Sequence, residues 1–434
     1  MTTTEHPEDP VPDGKEAAER AGGPLLGTVR DVAARQAKWV LLGCVVAMLL
    51  AAWVPACWPG NMVDLRVYRE APSHLLTGDL YAFRLHLPGL DAFPLPFTYP
   101  PFAAALLLPL SQAVWPLLAA AWCAVSILAL VVLTHCCLRM AQPDVPEGRH
   151  RQGVLLWSAG LLCLEPVTYT LVLGQINLLL AALVLWTVQR RSPVLAGLGL
   201  GTAVGIKLTP AVTVLYVLLH GRRRAALWSI AAFAATVAVG WAVAPGPSRE
   251  FWFHVLGDTS RVGPVGSVVN QSLRGALSRT LGHDVGWSTP WWSLALPAGL
   301  LALRAAVRTA RRGDALGCLA AAQLLGLLIS PISWVHHWVW AVPAVVWLAY
   351  DARRTGWHTA ALTAWCTVTL GHVVFWLERP QTDVWAIARP WYLWLPGWSY
   401  PLCAVLTLTA MLRPGSPTVP RQPEAALKPP GRGR

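Results

Sequence analysis

A carboxylate placed among several cations can take a proton from a hydroxyl while the cations neutralise charge on a departing phosphate. The 434-residue chain holds one such set: Asp64, Arg66, Lys207, Arg274 and the adjacent pair His336 and His337. These residues sit in "NMVDLRVYRE" (61–70), "GIKLTPAV" (205–212), "NQSLRG" (270–275) and "SPISWVHHW" (330–338). Ionisable groups at membrane depth are costly and point to function. Each also has a plainer reading. Asp64 can be a solvated carboxylate, Arg66 and Lys207 snorkelling cations, Arg274 a loop charge, and the histidines members of an aromatic belt between Trp334 and Trp338. Adjacent histidines on a helix point about 100° apart, so only one is expected to face a site fully. Asn270 and Gln271 are candidates for substrate hydroxyls. Gln175 and Asn177, in "LGQINL" (173–178), suit either a substrate or the cap of the next helix. Tyr99, with Pro100 and Pro101, is placed at the mouth of a groove. Glu165, inside an apolar run, is expensive to bury unless it is protonated or paired. A histidine pair can suggest a metal, but no third ligand stands at useful spacing, so neither metal nor cofactor is expected.

The elements that must position these groups follow from composition. The chain is 55% hydrophobic and 13% charged. Apolar runs of membrane-spanning length recur, and the weak alternation of a β-barrel is missing. An all-α polytopic membrane protein is therefore expected. The net charge of +12 would suggest nucleic acid in a soluble protein. Here the Lys and Arg fall in loops and tails between apolar runs and read as topology signals and lipid contacts. Nine cysteines lie in or beside apolar runs with neither CxxC nor zinc spacing, and read as small buried hydrophobes. The 24 tryptophans cluster near span ends.

A first span is expected at about 39–58, leaving the N-terminus inside and "NMVDLRVYRE" outside. Residues 100–111 are too short to cross and are expected as a half-helix. Spans follow at about 114–138, 153–172, 175–190, 225–244, 288–307, 315–333, 334–350, 358–376 and 392–412. Between Arg191 and Arg222 the chain goes out and back in two short, glycine-rich limbs with Lys207 at their turn, a pattern that points to a cavity. The organisation expected is a polar tail (1–37), a membrane domain (38–412) with outer loops at about 59–99 and 245–287, and a Pro-rich basic tail (413–434), both ends inside.

The pieces "DLRVYR" (64–69), "GDLY" (78–81), "FTYPPFAAALLLPL" (97–110), "GQINLLLAALVL" (174–185), "GIKLTPAV", "NQSLRG" and "SPISWVHHW" resemble, in order, the actinobacterial polyprenyl-phosphate-mannose-dependent α-(1→2)-mannosyltransferases, glycosyltransferase family 87 of the GT-C superfamily. The resemblance covers about 38–350. It implies a GT-C-type fold with about twelve transmembrane helices, and Asp64 as the base that activates an acceptor hydroxyl. It implies inversion at a β-linked mannosyl phosphate polyprenol, with the donor phosphate held by some of Arg66, Lys207, Arg274, His336 and His337, and no obligatory metal. The acceptor would be a phosphatidylinositol mannoside, a lipoglycan or a glycoprotein at the outer face of the bilayer. An arabinofuranosyltransferase with a similar donor is the near alternative. A lipid-carrier transporter is the distant one, disfavoured because the charges gather at one face and no internal repeat is evident.

Overall fold

The computed structural model describes residues 62–87 and 94–414, with positions 39, 42 and 43. The first expected span and both tails otherwise lie outside the described residues. A short helix, α1 (Val63–Glu70), comes first. Strands β1 (Arg84–Leu85) and β2 (Leu95–Pro96) form a two-residue antiparallel ribbon, Arg84 opposite Pro96 and Leu85 opposite Leu95. Next come α2 (Pro101–Leu107), α3 (Trp115–Ala141), α4 (Glu147–Leu162), α5 (Glu165–Leu173) and α6 (Asn177–Val188). They are followed by α7 (Pro193–Ile206), α8 (Thr213–Leu219), α9 (Arg223–Val243) and α10 (Pro245–Glu250). After a loop come α11 (Leu273–Leu281), α12 (Thr289–Arg311), α13 (Ala315–Ile329) and α14 (Val342–Tyr350). The rest is α15 (Gly356–Leu370), α16 (Val373–Glu378), α17 (Trp391–Trp394) and α18 (Ser399–Leu412).

The molecule is helical, as its hydropathy predicts, apart from the β1–β2 ribbon. The half-helix expected at 100–111 appears as α2 and a 3₁₀ turn, Leu108–Gln112. Several other apolar runs are cut into helices shorter than a span. Among the described residues three helices are long and apolar enough to cross a membrane: Trp115–Ala141, Arg223–Val243 and Trp391–Leu412. A fourth crossing arises if α4 and α5, bent by 75°, count together. Length and hydropathy alone therefore do not reproduce the twelve expected crossings. Large apolar side chains such as Leu128, Leu227, Ile230, Leu296 and Leu300 stand exposed along α3, α9 and α12, as lipid-facing helices require.

The bend at α4–α5 has a local cause. Leu164 takes extended backbone (ψ 132°), and Pro166, which has no N–H to continue the α4 ladder, sits in the first turn of α5, where that N–H is not needed. The Glu165 carboxylate accepts the backbone N–H groups of Phe375 (2.7 Å) and Val374 (3.4 Å) and the Tyr400 hydroxyl (2.9 Å). It thereby closes the N-terminus of α16 and ties it to α18, which explains a fully buried carboxylate away from any cavity. Cys163, at the same bend, is exposed rather than buried.

The glycines of the 193–206 limb serve packing more than a cavity. Gly197, Gly201 and Gly205 recur every fourth residue and present a smooth stripe to α9. A Cβ on Gly201 would lie 2.3 Å from the Ser229 carbonyl oxygen, and one on Gly205 would lie 2.2 Å from the Thr236 hydroxyl. Gly160, by contrast, has open space around it. Gly201→Val should therefore push α7 from α9 and cost at least about 1–3 kcal/mol. Thermal unfolding in detergent checks this: Gly201→Val should lose several degrees, whereas Gly160→Ala should match wild type.

Candidate active site

A cavity of about 450 Å³ lies where α1, the strand–α2 approach, the α5–α6 turn, the end of α7 and the loop 330–337 converge. Asp64, Tyr99, Gln175, Lys207, His336 and His337 all line it. The centre of this set is built at three helix breaks.

The first is the start of α1, where Met62 takes a left-handed φ of 51° and its N–H bonds the Val172 carbonyl at 3.0 Å. Asp64 occupies the first turn, and Tyr68, one turn on, shares its face. The second is the turn after α5. Gly174 has φ 69°, and a Cβ there would stand 2.6 Å from Leu65 Cβ. Only glycine allows both the turn and the close approach of α1. The turn delivers Gln175, whose Oε1 accepts from the hydroxyls of Tyr68 (2.9 Å) and Tyr99 (3.1 Å) and from Lys207 Nζ (3.4 Å). The two tyrosine hydroxyls lie 2.6 Å apart. With Oε1 turned to these donors, the amide side of Gln175 favours the carboxylate form of Asp64.

The third break is Lys207, where α7 gives way to extended backbone (φ −149°, ψ 129°). Its ammonium donates to Asn177 Oδ1 at 2.8 Å and reaches the Tyr99 hydroxyl at 3.4 Å. Asn177 Nδ2 and the Thr170 hydroxyl both donate to the His336 carbonyl, at 3.0 and 3.2 Å. Asn177 thus links the lysine to the histidine loop from beneath the cavity wall. Burial pushes the Asp64 carboxyl up to about 6, and the Gln175 hydrogen bond and the Lys207 charge hold it from rising further.

Both histidines face the cavity, contrary to the expectation of one. They lie in a 3₁₀ segment (Val335–Ala341) rather than an α-turn, and their rings nest edge to face with centroids 4.7 Å apart. His336 Nδ1 is buried without a hydrogen-bond partner, which leaves one polar atom of the pair uncommitted. Among the described residues, no group of three or more His, Cys, Asp or Glu side chains is arranged to hold a metal ion.

Besides Asn177, which sits beneath the wall, four expected residues do not line this cavity. Arg66 lies two positions from Asp64, on another face of α1, with its guanidinium 4.1 Å from the Trp115 ring centroid. Arg274 is nearly buried and grips Asp284 with two bonds, Nε to Oδ1 at 2.9 Å and Nη2 to Oδ2 at 2.6 Å. Asn270 is wholly buried. Its Oδ1 accepts from Ser333 N (3.0 Å) and Ser272 N (3.2 Å), and its Nδ2 donates to the Val265 (3.0 Å) and Pro331 (3.3 Å) carbonyls. Gln271 donates to the Val268 carbonyl at 2.7 Å. With bonds from Gln271 N to Ser333 O (2.8 Å) and Val335 N to Val269 O (3.0 Å), the "NQS" stretch clamps the histidine loop instead of lining the cavity.

Other lining residues escaped the sequence reading. Arg261, in a 3₁₀ turn (Thr259–Arg261) held by Asp258, brings a further cation. Glu378, at the end of α16, brings a second carboxylate and accepts the Tyr169 hydroxyl at 2.5 Å. Neither interrupts an apolar run, so hydropathy gave no signal for them. Tyr68, behind the wall, had one in its four-residue spacing from Asp64.

The chain matches the family described as Glycosyltransferase family 87 over residues 97–331. It is 39% identical over 356 residues to a polyprenol-phosphate-mannose-dependent α-(1-2)-phosphatidylinositol pentamannoside mannosyltransferase of Mycobacterium tuberculosis, covering 80% of each chain. A protein of the same description from Mycolicibacterium smegmatis is 37% identical, over 88% of this chain and 93% of its own. A polyprenol-phosphate-mannose-dependent α-(1-2)-phosphatidylinositol mannoside mannosyltransferase of Mycobacterium tuberculosis is 34% identical, over 87% and 91%. No solved structure matches the chain significantly. With identity of this order running along most of its length, the chain belongs to glycosyltransferase family 87 and is a membrane glycosyltransferase rather than a transporter.

Proposed function

We propose that the protein moves mannose from a polyprenyl-phosphate-mannose donor to a phosphatidylinositol mannoside at the outer face of the membrane, forming an α-(1→2) linkage with inversion. The observation that carries this reading is one cavity lined by both Asp64 and Lys207, where the lysine's charge favours the carboxylate. The relatives' names supply the donor, the linkage and the acceptor class. On this reading about twelve crossings leave both termini inside and the cavity outside.

In this mechanism Asp64 takes the proton of the acceptor hydroxyl. The hydroxyl oxygen bonds to the anomeric carbon of the donor. The bond from that carbon to the phosphate oxygen breaks, and its electron pair leaves with the polyprenyl phosphate. Lys207 receives the growing phosphate charge, and His336 and His337 supply ring nitrogens beside it. Gln175 aims the Asp64 carboxylate, and the Tyr68–Tyr99 pair fixes Gln175. Glu378, held by Tyr169, accepts hydroxyls of a bound sugar from the opposite part of the wall.

Asp64→Asn keeps shape and hydrogen bonding but removes the base. Mannosyl transfer by the purified protein in lipid should fall at least about 10²–10⁴-fold with little change in donor binding. Transfer within a few-fold of wild type would remove Asp64 from this role.

The raised Asp64 pKa sets an acid limb. The carboxylate form prevails above about pH 6 and is lost as pH falls through that value. Wild-type kcat/KM should therefore drop about tenfold for each pH unit below about 6. Lys207→Met removes the charge that favours the carboxylate, so this limb should move to higher pH while the maximal rate also falls. A limb that stays at the same pH in Lys207→Met would break the link between the two residues.

A further inference from the structure

A second cavity of about 290 Å³ shares Pro96 and Arg261 with the first. Its other walls include Arg84, Asp258, Ser260 and Trp385. Two arginines therefore stand at the junction of the cavities, and both turn to one atom. Arg84 Nη1 donates to the Tyr81 carbonyl at 3.0 Å, and Arg261 Nη2 donates to the same oxygen. Arg84 Nη1 also donates to Phe83 O at 2.8 Å, and the Arg261 guanidinium lies 5.7 Å from the Tyr81 ring centroid.

Like charges converging on a single neutral carbonyl repel unless an anion joins them. Asp258 is the nearest wall carboxylate. Its Oδ1 is already held by the Ser260 N–H (3.0 Å) and hydroxyl (2.6 Å), where it shapes the turn that carries Arg261. Glu250, on α10, and Asp258 act on the Arg261 guanidinium through charge alone, with no hydrogen bond to it among the described residues. The Arg261 Nε is buried and has no hydrogen-bond partner. The set thus has an unmet donor, two guanidinium forks and a flat indole wall in Trp385.

We infer that Arg84 and Arg261 form an anion subsite in the antechamber, which takes the phosphodiester of an acidic glycolipid acceptor while Trp385 covers the adjoining ring. The location selects the acceptor over the donor. A donor phosphate is one bond from the reacting carbon and belongs in the main cavity with Asp64 and Lys207. An acceptor phosphodiester is separated from the reacting hydroxyl by its own glycan and so falls in the adjoining space. Planar guanidinium forks suit phosphate geometry, and charge-assisted bonds of this kind are the strong ones.

This deepens the proposed function and rests on it for the acceptor assignment and the kinetic arm. The binding arm uses the full chain in nanodiscs of mixed phosphatidylinositol and phosphatidylcholine, with retained lipid read by native mass spectrometry. Wild type should retain phosphatidylinositol preferentially, and Arg84→Ala should cut that preference about tenfold, with Arg84→Lys in between. Arg84 is exposed, so loss of the fold is not the expected route. An unchanged preference in Arg84→Ala overturns the subsite.

The kinetic arm compares a phosphatidylinositol mannoside acceptor with octyl α-mannoside, which has no phosphate. The ratio of their kcat/KM values should fall about tenfold in Arg84→Ala. A raised donor KM with an unchanged ratio would assign the pair to the donor phosphate and overturn the acceptor assignment. If wild type transfers no mannose at all, the proposed function fails, and the lipid-retention result still decides the subsite.

Discussion

A carboxylate kept in the interior of an apolar helical body governs this structure. Raising the Asp64 carboxyl from 3.8 to about 6 corresponds to a cost of about 3 kcal/mol for keeping it ionised. Without Gln175 and Lys207 the cost would be larger still. The backbone has to bring both partners to Asp64, and a continuous helix cannot aim three such groups inward at one point. The chain meets the requirement with breaks: left-handed backbone at Met62 and Gly174, and extended backbone at Lys207. The short helices of this half of the molecule follow from that need.

Part of this was legible in the sequence, for a definite reason. Asp64, Lys207 and the histidine pair stand out because charge or polarity at the edge of an apolar run is improbable without a role, and all four line one cavity. The same logic misassigned its neighbours. Arg274 and Asn270 are as polar and as close to apolar runs, but their partners, Asp284 and the 331–333 backbone, belong to loops whose folding hydropathy does not encode. Arg66 faces another side of α1, a matter of helical phase that became usable only once the start of α1 was fixed. Arg261 and Glu378 lie in polar segments where one more charge is unremarked, and only tertiary placement distinguishes them.

The fold was legible at the level of class and of most helix positions. Its weaker point was continuity. An apolar run reads as one span, whereas the bend before Pro166 and the 3₁₀ segment at 335–341 interrupt such runs. Glu165 shows the converse. A carboxylate in an apolar run has to be paired or protonated, and its partners are the N–H groups at the start of α16 and one tyrosine. Burial of a charge thus reports an unmet electrostatic need nearby, which can be a helix end as readily as a substrate.

The clamp between residues 265–272 and 331–335 has a mechanical consequence. Side-chain and backbone bonds from Asn270, Gln271, Ser272 and Val269 fasten the two loops along their length. Arg279 adds bonds to the carbonyls of Ser267 (2.6 Å), Asn270 (2.7 Å) and Gly397 (2.8 Å). The wall that holds the histidines is therefore stiff, and its stiffness extends to the segment just before α18. Any widening of the cavity that preserves these bonds has to come from the opposite side, where the two-residue ribbon leading to Tyr99 has few bonds to break. Entry of a long lipid would then strain the ribbon side and leave the histidine side in register.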